Sequence, residues 1–433
     1  MAGTAFGVID VLHTREWGTA PAPPGTRASG ITVGDRTHRV IAGPGGGGPA
    51  AVFSSAGFNR ASPGTGVSAV TGRRTRPPGA TEGTRMTEDA VRRPVVPEAQ
   101  PRPVGAEDFD ARALRAETAT RFTAAVAAID AGDMDFPLPG SGATAERFAA
   151  LRAVAEDDLC LARLVEGHVD ALAILGELGG PAPEPGRRWG VWAAEPPGEG
   201  LSAVRGADGR WSVSGLKQYC SGAHSCTHAL VTARAEDGRR LFAVPLEAGT
   251  YEPVEGSWQA LGMAGSDTPD VRFHAADAEP VGDVEGYVNR PGFQHGGIGV
   301  AACWLGGASA VARALRAAAH RGGGPHTDAH LGAVDIDLRA AGLLLEAAAA
   351  GIDADPLDTK GEARLRSLRV RGFVEAVCDR TLGHVGRATG AGPLCHDRRH
   401  ARAVADLTVY IRQHHAERNL AELGALVSGR EEE

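Results

Sequence analysis

The side chains best suited to proton transfer lie near the C-terminus, in the segment ADLTVYIRQHHAERNLAELG (405–424). The spacing places His414 on one helical stripe with Val404, Leu407 and Ile411, so we expect its ring to face inward. A histidine is a competent base near neutral pH. Glu417, on the same face, is a second candidate base or a partner that orients the ring. The alternative is that HHAER is only a solvated helix end.

Hydroxyl groups are concentrated in two motifs further up the chain, SGLKQYCSGA (214–223) and WQALGMAGSDTPDVRF (258–273). Hydroxyls held in such motifs can form hydrogen bonds to a ligand. Serine beside glycine, and serine two residues before threonine, are also common in turns, so a purely structural role is the alternative.

The pattern of apolar residues predicts the elements that must position these groups. Periodic helical segments run from 107 to 178, and short alternating segments follow from 189 to 280. Asp208-Gly209 and Asp237-Gly238 each separate two alternating runs, which predicts two hairpins in an antiparallel β-domain. From 296 onward the chain is helical again, and its first helix is apolar nearly all round, as in the interior of a bundle.

The chain therefore divides into four predicted sections, and the predicted fold class is α+β. They are an N-terminal extension (1–105), a helical domain (106–186), a β-barrel-like domain (187–285) and a four-helix bundle (290–428). In the bundle, the later helices are predicted at 332–352, 364–388 and 398–425. The extension is rich in glycine and proline and lacks apolar periodicity, so its composition cannot support a core. Met86 begins a second start-like stretch, which leaves two interpretations: an over-extended start or a genuine tail.

Composition excludes several classes of protein. The 433 residues are 42% hydrophobic and 23% charged, close to globular averages. The net charge of −8 gives no reason to expect nucleic acid as a partner. No long uninterrupted apolar run or leader pattern is present, so we expect a cytoplasmic protein without membrane insertion. The six cysteines are scattered, which predicts free thiols and no metal site.

Three segments of the sequence resemble the acyl-CoA dehydrogenase superfamily. WAAEP (192–196) followed by SGLKQYCSGA is similar to the family's two flavin-contacting β-domain motifs. The stretch 258–273 is similar to its W-x-x-LGM-x-x-S-x-T motif, and 405–424 to its last flavin-side helix. The resemblance implies FAD, a small-molecule substrate such as an acyl-CoA, and a homodimer or homotetramer. It also implies an electron-acceptor protein as partner.

The resemblance also assigns roles to individual residues. It places the Ser221 hydroxyl at flavin N5, with Tyr219 along the ring and Cys220 between them. The backbone of Ala193, Ala194 and Glu195 lies where the family contacts the pyrimidine side, although Ala194 replaces a hydroxyl residue. Ser266 and Thr268 correspond to a pair near the flavin phosphate, and Arg321 to a pyrophosphate-binding arginine in a broken motif.

The catalytic base is where the sequence departs from this family. His414 occupies the position of the family's Glu, and the first bundle helix, where some members carry the base, offers only His295. Three functions stay open. The first is α,β-dehydrogenation of an acyl thioester, with His414 or Glu417 as base. The second is a two-component flavin monooxygenase supplied by a flavin reductase, in which Ser221, His414 and His168 surround the ring. The third is a non-catalytic flavoprotein.

Overall fold

The computed structural model of this chain describes residues 110–196, 198 and 200–429. The expectations for the N-terminal extension, including a start at Met86, lie outside the described residues.

Three helices precede the sheet: α1 (Ala111–Ala131), α2 (Thr144–Asp157) and α3 (Leu159–Leu178). Asp110 and Asp158 begin α1 and α3, and each carboxylate accepts two backbone N–H groups that have no partner within the helix. Helix α3 is buried nearly all round, although it carries Arg163, Glu166 and Asp170 among its leucines and valines. Such charges persist in a core only when they have partners.

Seven strands follow: β1 (Trp189–Trp192), β2 (Leu201–Arg205), β3 (Trp211–Lys217), β4 (His228–Ala235), β5 (Gly238–Pro245), β6 (Tyr251–Pro253) and β7 (Val271–Val281). Strands β2, β3, β7, β5 and β4 pair in that order, and β4 pairs again with β2, which closes the sheet on itself. Both predicted hairpins are confirmed, since Asp208-Gly209 joins β2 to β3 and Asp237-Gly238 joins β4 to β5.

The prediction of an antiparallel β-domain is wrong for two pairings. β1 and β2 each run parallel to β4. Closing the ring brings together strands that are distant in the chain, and hairpin signals report only on neighbouring strands.

The C-terminal region contains α4 (Gly286–Asn289), α5 (Pro291–His320), α6 (Pro325–Ala354), α7 (Ala363–Thr389), α8 (Gly392–His396), α9 (Arg398–Tyr410) and α10 (Ala416–Val427). In the described part of the chain, α5 alone is long and apolar enough to cross a membrane, and 89% of its most apolar window is buried inside the protein. At Gly306 an added Cβ would lie 2.3 Å from the Arg152 carbonyl oxygen, so glycine permits the close approach of α5 and α2.

The predicted helix 398–425 is interrupted, which corrects the argument for His414. After α9, Ile411–Gln413 forms a short 3-10 turn and His414 has extended backbone (φ −83°, ψ 125°). Ala416 then has φ +36°, a left-handed conformation that a non-glycine residue rarely adopts. The helical stripe therefore ends before His414 and does not explain why the His414 ring is buried.

Candidate functional site

Two loops form the base of the candidate site, one after β3 and the other before β7. Cys220 N donates a hydrogen bond to Pro269 O (2.9 Å), and Gly222 N donates to Asp267 O (2.8 Å). Both loops contain left-handed residues other than glycine, among them Tyr219 (φ 60°) and Asp267 (φ 48°). Backbone strain of this kind persists only where the surrounding structure holds it. The two loops thus form one rigid unit.

The second loop is fastened to α9. The Asp406 carboxylate accepts a hydrogen bond from Met263 N, and burial raises the pKa of Asp406 to about 6. At Gly262 an added Cβ would lie 2.1 Å from Ala405 O, so only glycine allows this contact. Arg402 lies 3.4 Å from the Asp406 carboxylate and supplies a compensating charge. The hydroxyl motif of the β-domain is therefore positioned directly by the last bundle helices.

A chain of three buried hydroxyls runs through this unit. Thr268 Oγ1 donates to Ser221 Oγ (3.0 Å), and Ser266 Oγ lies 2.7 Å from Thr268 Oγ1. Ser266 Oγ is also 2.7 Å from Met263 O. Because Ser221 Oγ accepts from Thr268, its own proton stays available for a further acceptor. The chain thus presents one oriented O–H donor.

Ser221 opens onto a small cavity between the β-domain loops, α3 and the end of α9. Four of its lining residues are predicted ligand contacts: Tyr219, Ser221, Ser266 and Thr268. The other six were not predicted as contacts: Arg163, Trp258, Met263, Val409, Tyr410 and Gln413. The cavity volume is about 30 Å³, enough for one water-sized group. None of these described lining residues carries a carboxylate.

Several polar atoms in this wall are buried without a hydrogen-bond partner among the described residues. They are Arg163 Nε, Tyr410 OH and Gln413 Oε1. Burial, with Glu166 and Cys303 nearby, raises the pKa of Tyr410 well above its usual value, so its phenol stays protonated and able to donate. Unsatisfied buried polar atoms are rare in native proteins, and several around one cavity indicate a bound ligand or an ordered water.

The remaining cofactor candidates do not line this cavity. Cys220 is fully buried, its Sγ lies 3.3 Å from Lys217 O, and burial raises its thiol pKa well above the usual value. Ala193 and Ala194 are packed in the interior, while the Glu195 carboxylate lies 3.3 Å from Arg239. Arg321 is exposed at the end of α5. Their predicted cofactor roles stay predictions.

The candidate bases also lie outside the cavity. His414 is buried, but it lines a separate small cavity with Arg371 and Asn419, and its imidazole lies beside Gly372 of α7. Gln413 contributes to both cavities and separates them. Glu417 is exposed in the first turn of α10.

The other two histidines considered from the sequence have structural contacts. His168 accepts a hydrogen bond at Nδ1 from Trp189 N (3.3 Å), and burial lowers its pKa to about 4. His295 Nε2 lies 3.1 Å from Pro356 O. In the described ranges, no group of three or more His, Cys, Asp or Glu side chains is arranged to hold a metal.

The residues that sequence reasoning missed are mostly on helices. Arg163 is an isolated cation in the apolar stretch LCLARLVEGHVDALAIL, and a charge inside a buried helix is a usable signal of a polar site. Tyr410 ends α9 and Gln413 ends the 3-10 turn after it, both shortly before His414. Trp258 opens the second hydroxyl motif.

No family model matches the sequence, and no curated protein matches it. Solved structures do match. Butyryl-CoA dehydrogenase from Megasphaera elsdenii superposes with a TM-score of 0.61 at 16% identity, covering 72% of this chain and 89% of that one. The chain has the acyl-CoA dehydrogenase fold.

Two further neighbours were solved with FMN. TdsC from Paenibacillus sp. A11-2, in a complex with FMN and indole, gives a TM-score of 0.60 at 16% identity, over 75% of this chain and 98% of that one. A separate structure of TdsC describes it as a dibenzothiophene monooxygenase. KijD3, in complex with FMN and a dTDP-linked amino-keto sugar, gives a TM-score of 0.57 at 19% identity. The match covers 74% of this chain and 94% of that one. At these identities the likeness establishes the fold alone.

Proposed function

We propose that this chain is a flavin-dependent oxidoreductase that acts as a monooxygenase, using reduced flavin and oxygen. The observation that carries the proposal is the cavity wall, which presents oriented hydroxyl donors and no carboxylate among its described residues. Dehydrogenation of a thioester requires a base for the α-proton, and both predicted bases lie elsewhere. The fold occurs both in a monooxygenase solved with FMN and in butyryl-CoA dehydrogenase, so it is compatible with the proposal and the choice rests on the cavity wall.

The residues around the cavity suit a flavin. Ser221 offers a directed O–H donor, and Tyr219 and Trp258 form a half-buried aromatic rim. The enclosed volume holds only a water-sized group, so the ring system belongs at this rim, with the cavity behind it. When bound, the flavin supplies the redox chemistry, and the protein supplies orientation and electrostatics. The resemblance favours FAD, whereas two neighbours hold FMN, so both cofactors belong in the test.

Several residues of the wall then have a definite task. Ser221 would donate a hydrogen bond to an acceptor on the ring edge, and Thr268 and Ser266 hold that donor in direction. Tyr410 is a neutral donor deep in the cavity. The aromatic rim and the buried Met263 exclude water. A flavin reductase is the class of partner that provides reduced cofactor to such a site.

Two measurements on one preparation test the proposal, the first without oxygen and the second with oxygen. Flavin-loaded protein is first mixed with butyryl-CoA and octanoyl-CoA without oxygen, and we expect no bleaching of the flavin absorbance. Protein with reduced FMN or FAD is then mixed with oxygen, and we expect hydrogen peroxide to appear more slowly than with the free reduced flavin.

Bleaching by an acyl-CoA contradicts the monooxygenase assignment and supports the dehydrogenase. In that case His414→Ala should lower the bleaching rate by roughly 10² to 10⁴, the usual worth of a general base, and Glu417→Gln should not. Absence of bleaching together with peroxide release as fast as from free flavin contradicts both catalytic functions.

A further inference from the structure

Arg163 is a buried cation in the cavity wall that flavin binding alone does not explain. Its side chain is 5% exposed, and it reaches the cavity from α3, opposite the hydroxyl motifs. Its Nε has no hydrogen-bond partner among the described residues. A guanidinium offers five N–H donors, and leaving any of them unpaired in a core is costly. The buried Nε of Arg163 therefore needs a hydrogen-bond acceptor.

The charges around Arg163 leave this demand unmet. Glu166 accepts from a single nitrogen, Nη1, and burial raises the pKa of that carboxylate. The next acid on α3, Asp170, faces Arg290 at 4.0 Å. Arg147, another buried arginine here, donates to two backbone carbonyls, those of Phe136 and Pro137. No described carboxylate besides Glu166 forms an ion pair with Arg163.

Tyr410 adds a second donor to the same wall. Its hydroxyl is buried, protonated and without a partner among the described residues. The guanidinium and the phenol together favour an acceptor that carries negative charge, since hydrogen bonds to charged groups are the stronger ones. The enclosed 30 Å³ admits a head group the size of one water, which excludes an acyl chain from this depth.

We infer that this site takes a compact substrate with an anionic oxygen, a phenolate, enolate or carboxylate, whose oxygen binds Arg163 and Tyr410. The inference rests on the proposed function for the chemistry that follows, but the anion site itself is independent of the flavin. Arg163 is then the residue that selects the substrate class, because a neutral substrate of the same shape leaves the guanidinium unpaired.

Benzoate and benzamide form a suitable pair of probes, since they share a shape and differ in charge. Isothermal titration of flavin-free and flavin-loaded protein should give measurable binding of benzoate and much weaker binding of benzamide. Arg163→Met should weaken benzoate binding about 10- to 150-fold, the usual worth of a hydrogen bond to a charged group, and leave benzamide unchanged. Arg163→Lys should restore part of the loss.

Two controls separate an anion site from a general loss of structure. Arg147→Met removes a buried arginine of the same region that does not line the cavity, and it should leave benzoate binding unchanged. Tyr410→Phe keeps the ring and should weaken benzoate binding even if Arg163→Met does not fold. No benzoate binding by the wild type, equal binding of both probes, or equal losses in the two arginine variants overturns the inference. FMN titration of the same samples tests the proposed function separately.

Discussion

Ser221→Ala tests whether the chain of hydroxyls serves a ligand or only the fold. The substitution removes Ser221 Oγ, which accepts a hydrogen bond from Thr268 Oγ1 at 3.0 Å. Both residues are only 6% exposed. Ser266 Oγ stays 2.7 Å from Thr268 Oγ1 as an alternative partner, so the substitution loses one hydrogen bond, and the free energy of unfolding of the flavin-free protein should fall by about 0.5–1.5 kcal/mol. Thr268→Val breaks the same hydrogen bond from the other side and is the matched control.

The two variants should differ in flavin binding. Only Ser221→Ala removes the O–H group that faces the cavity, whereas Thr268→Val keeps that group and releases its orientation. One neutral hydrogen bond contributes about 0.5–1.5 kcal/mol, so its loss should raise the dissociation constant for FMN roughly 2- to 13-fold. We therefore expect this loss in Ser221→Ala and a smaller one in Thr268→Val.

Urea unfolding of the flavin-free proteins and quenching of FMN fluorescence give the two quantities independently. If Ser221→Ala binds FMN as tightly as the wild type, the Ser221 hydroxyl does not contact the flavin. If both variants lose the same affinity, the hydroxyl chain acts through the fold alone.

Three further predictions concern stability. Burial lowers the pKa of Lys217 to about 8, so the unfolded chain binds more protons above that pH, and the free energy of unfolding should rise by about 3 kcal/mol between pH 8 and 10.5. Urea titrations should show this rise in the wild type and not in Lys217→Met; an equal rise in both contradicts it. Gly262→Ala should cost about 1–3 kcal/mol or more because its Cβ meets Ala405 O, whereas Gly332→Ala, in open space on α6, should stabilise slightly; equal effects contradict the close contact. A chain starting at Met86 should keep its melting temperature and flavin content, because residues 1–85 lack apolar periodicity; a fall of more than a few degrees contradicts this.

The hydroxyl half of the site was predictable because its signals are local. Ser221 and Thr268 stand in turn-forming motifs on either side of strands, and their resemblance to a family motif placed them at one ligand before any distance was known. The hairpins at Asp208-Gly209 and Asp237-Gly238 were equally readable, since glycine marks the required left-handed backbone.

The helical half was harder to predict, for two physical reasons. Residues 411–416 contain neither glycine nor proline, so nothing in the sequence announced the break that moves His414 into a separate cavity. The position of Arg163 depends on tertiary packing, because its burial is tolerated only with Glu166 one turn away and the cavity beside it. Periodicity describes which face is buried and not what lies against it.

A crystal structure of the protein with FMN bound would show whether this cavity is the redox site. We expect the flavin ring at the rim formed by Tyr219 and Trp258, with the Ser221 hydroxyl within hydrogen-bond distance of the ring edge. Flavin bound elsewhere, or a ring whose edge does not meet Ser221, would contradict the assignment of this cavity as the redox site.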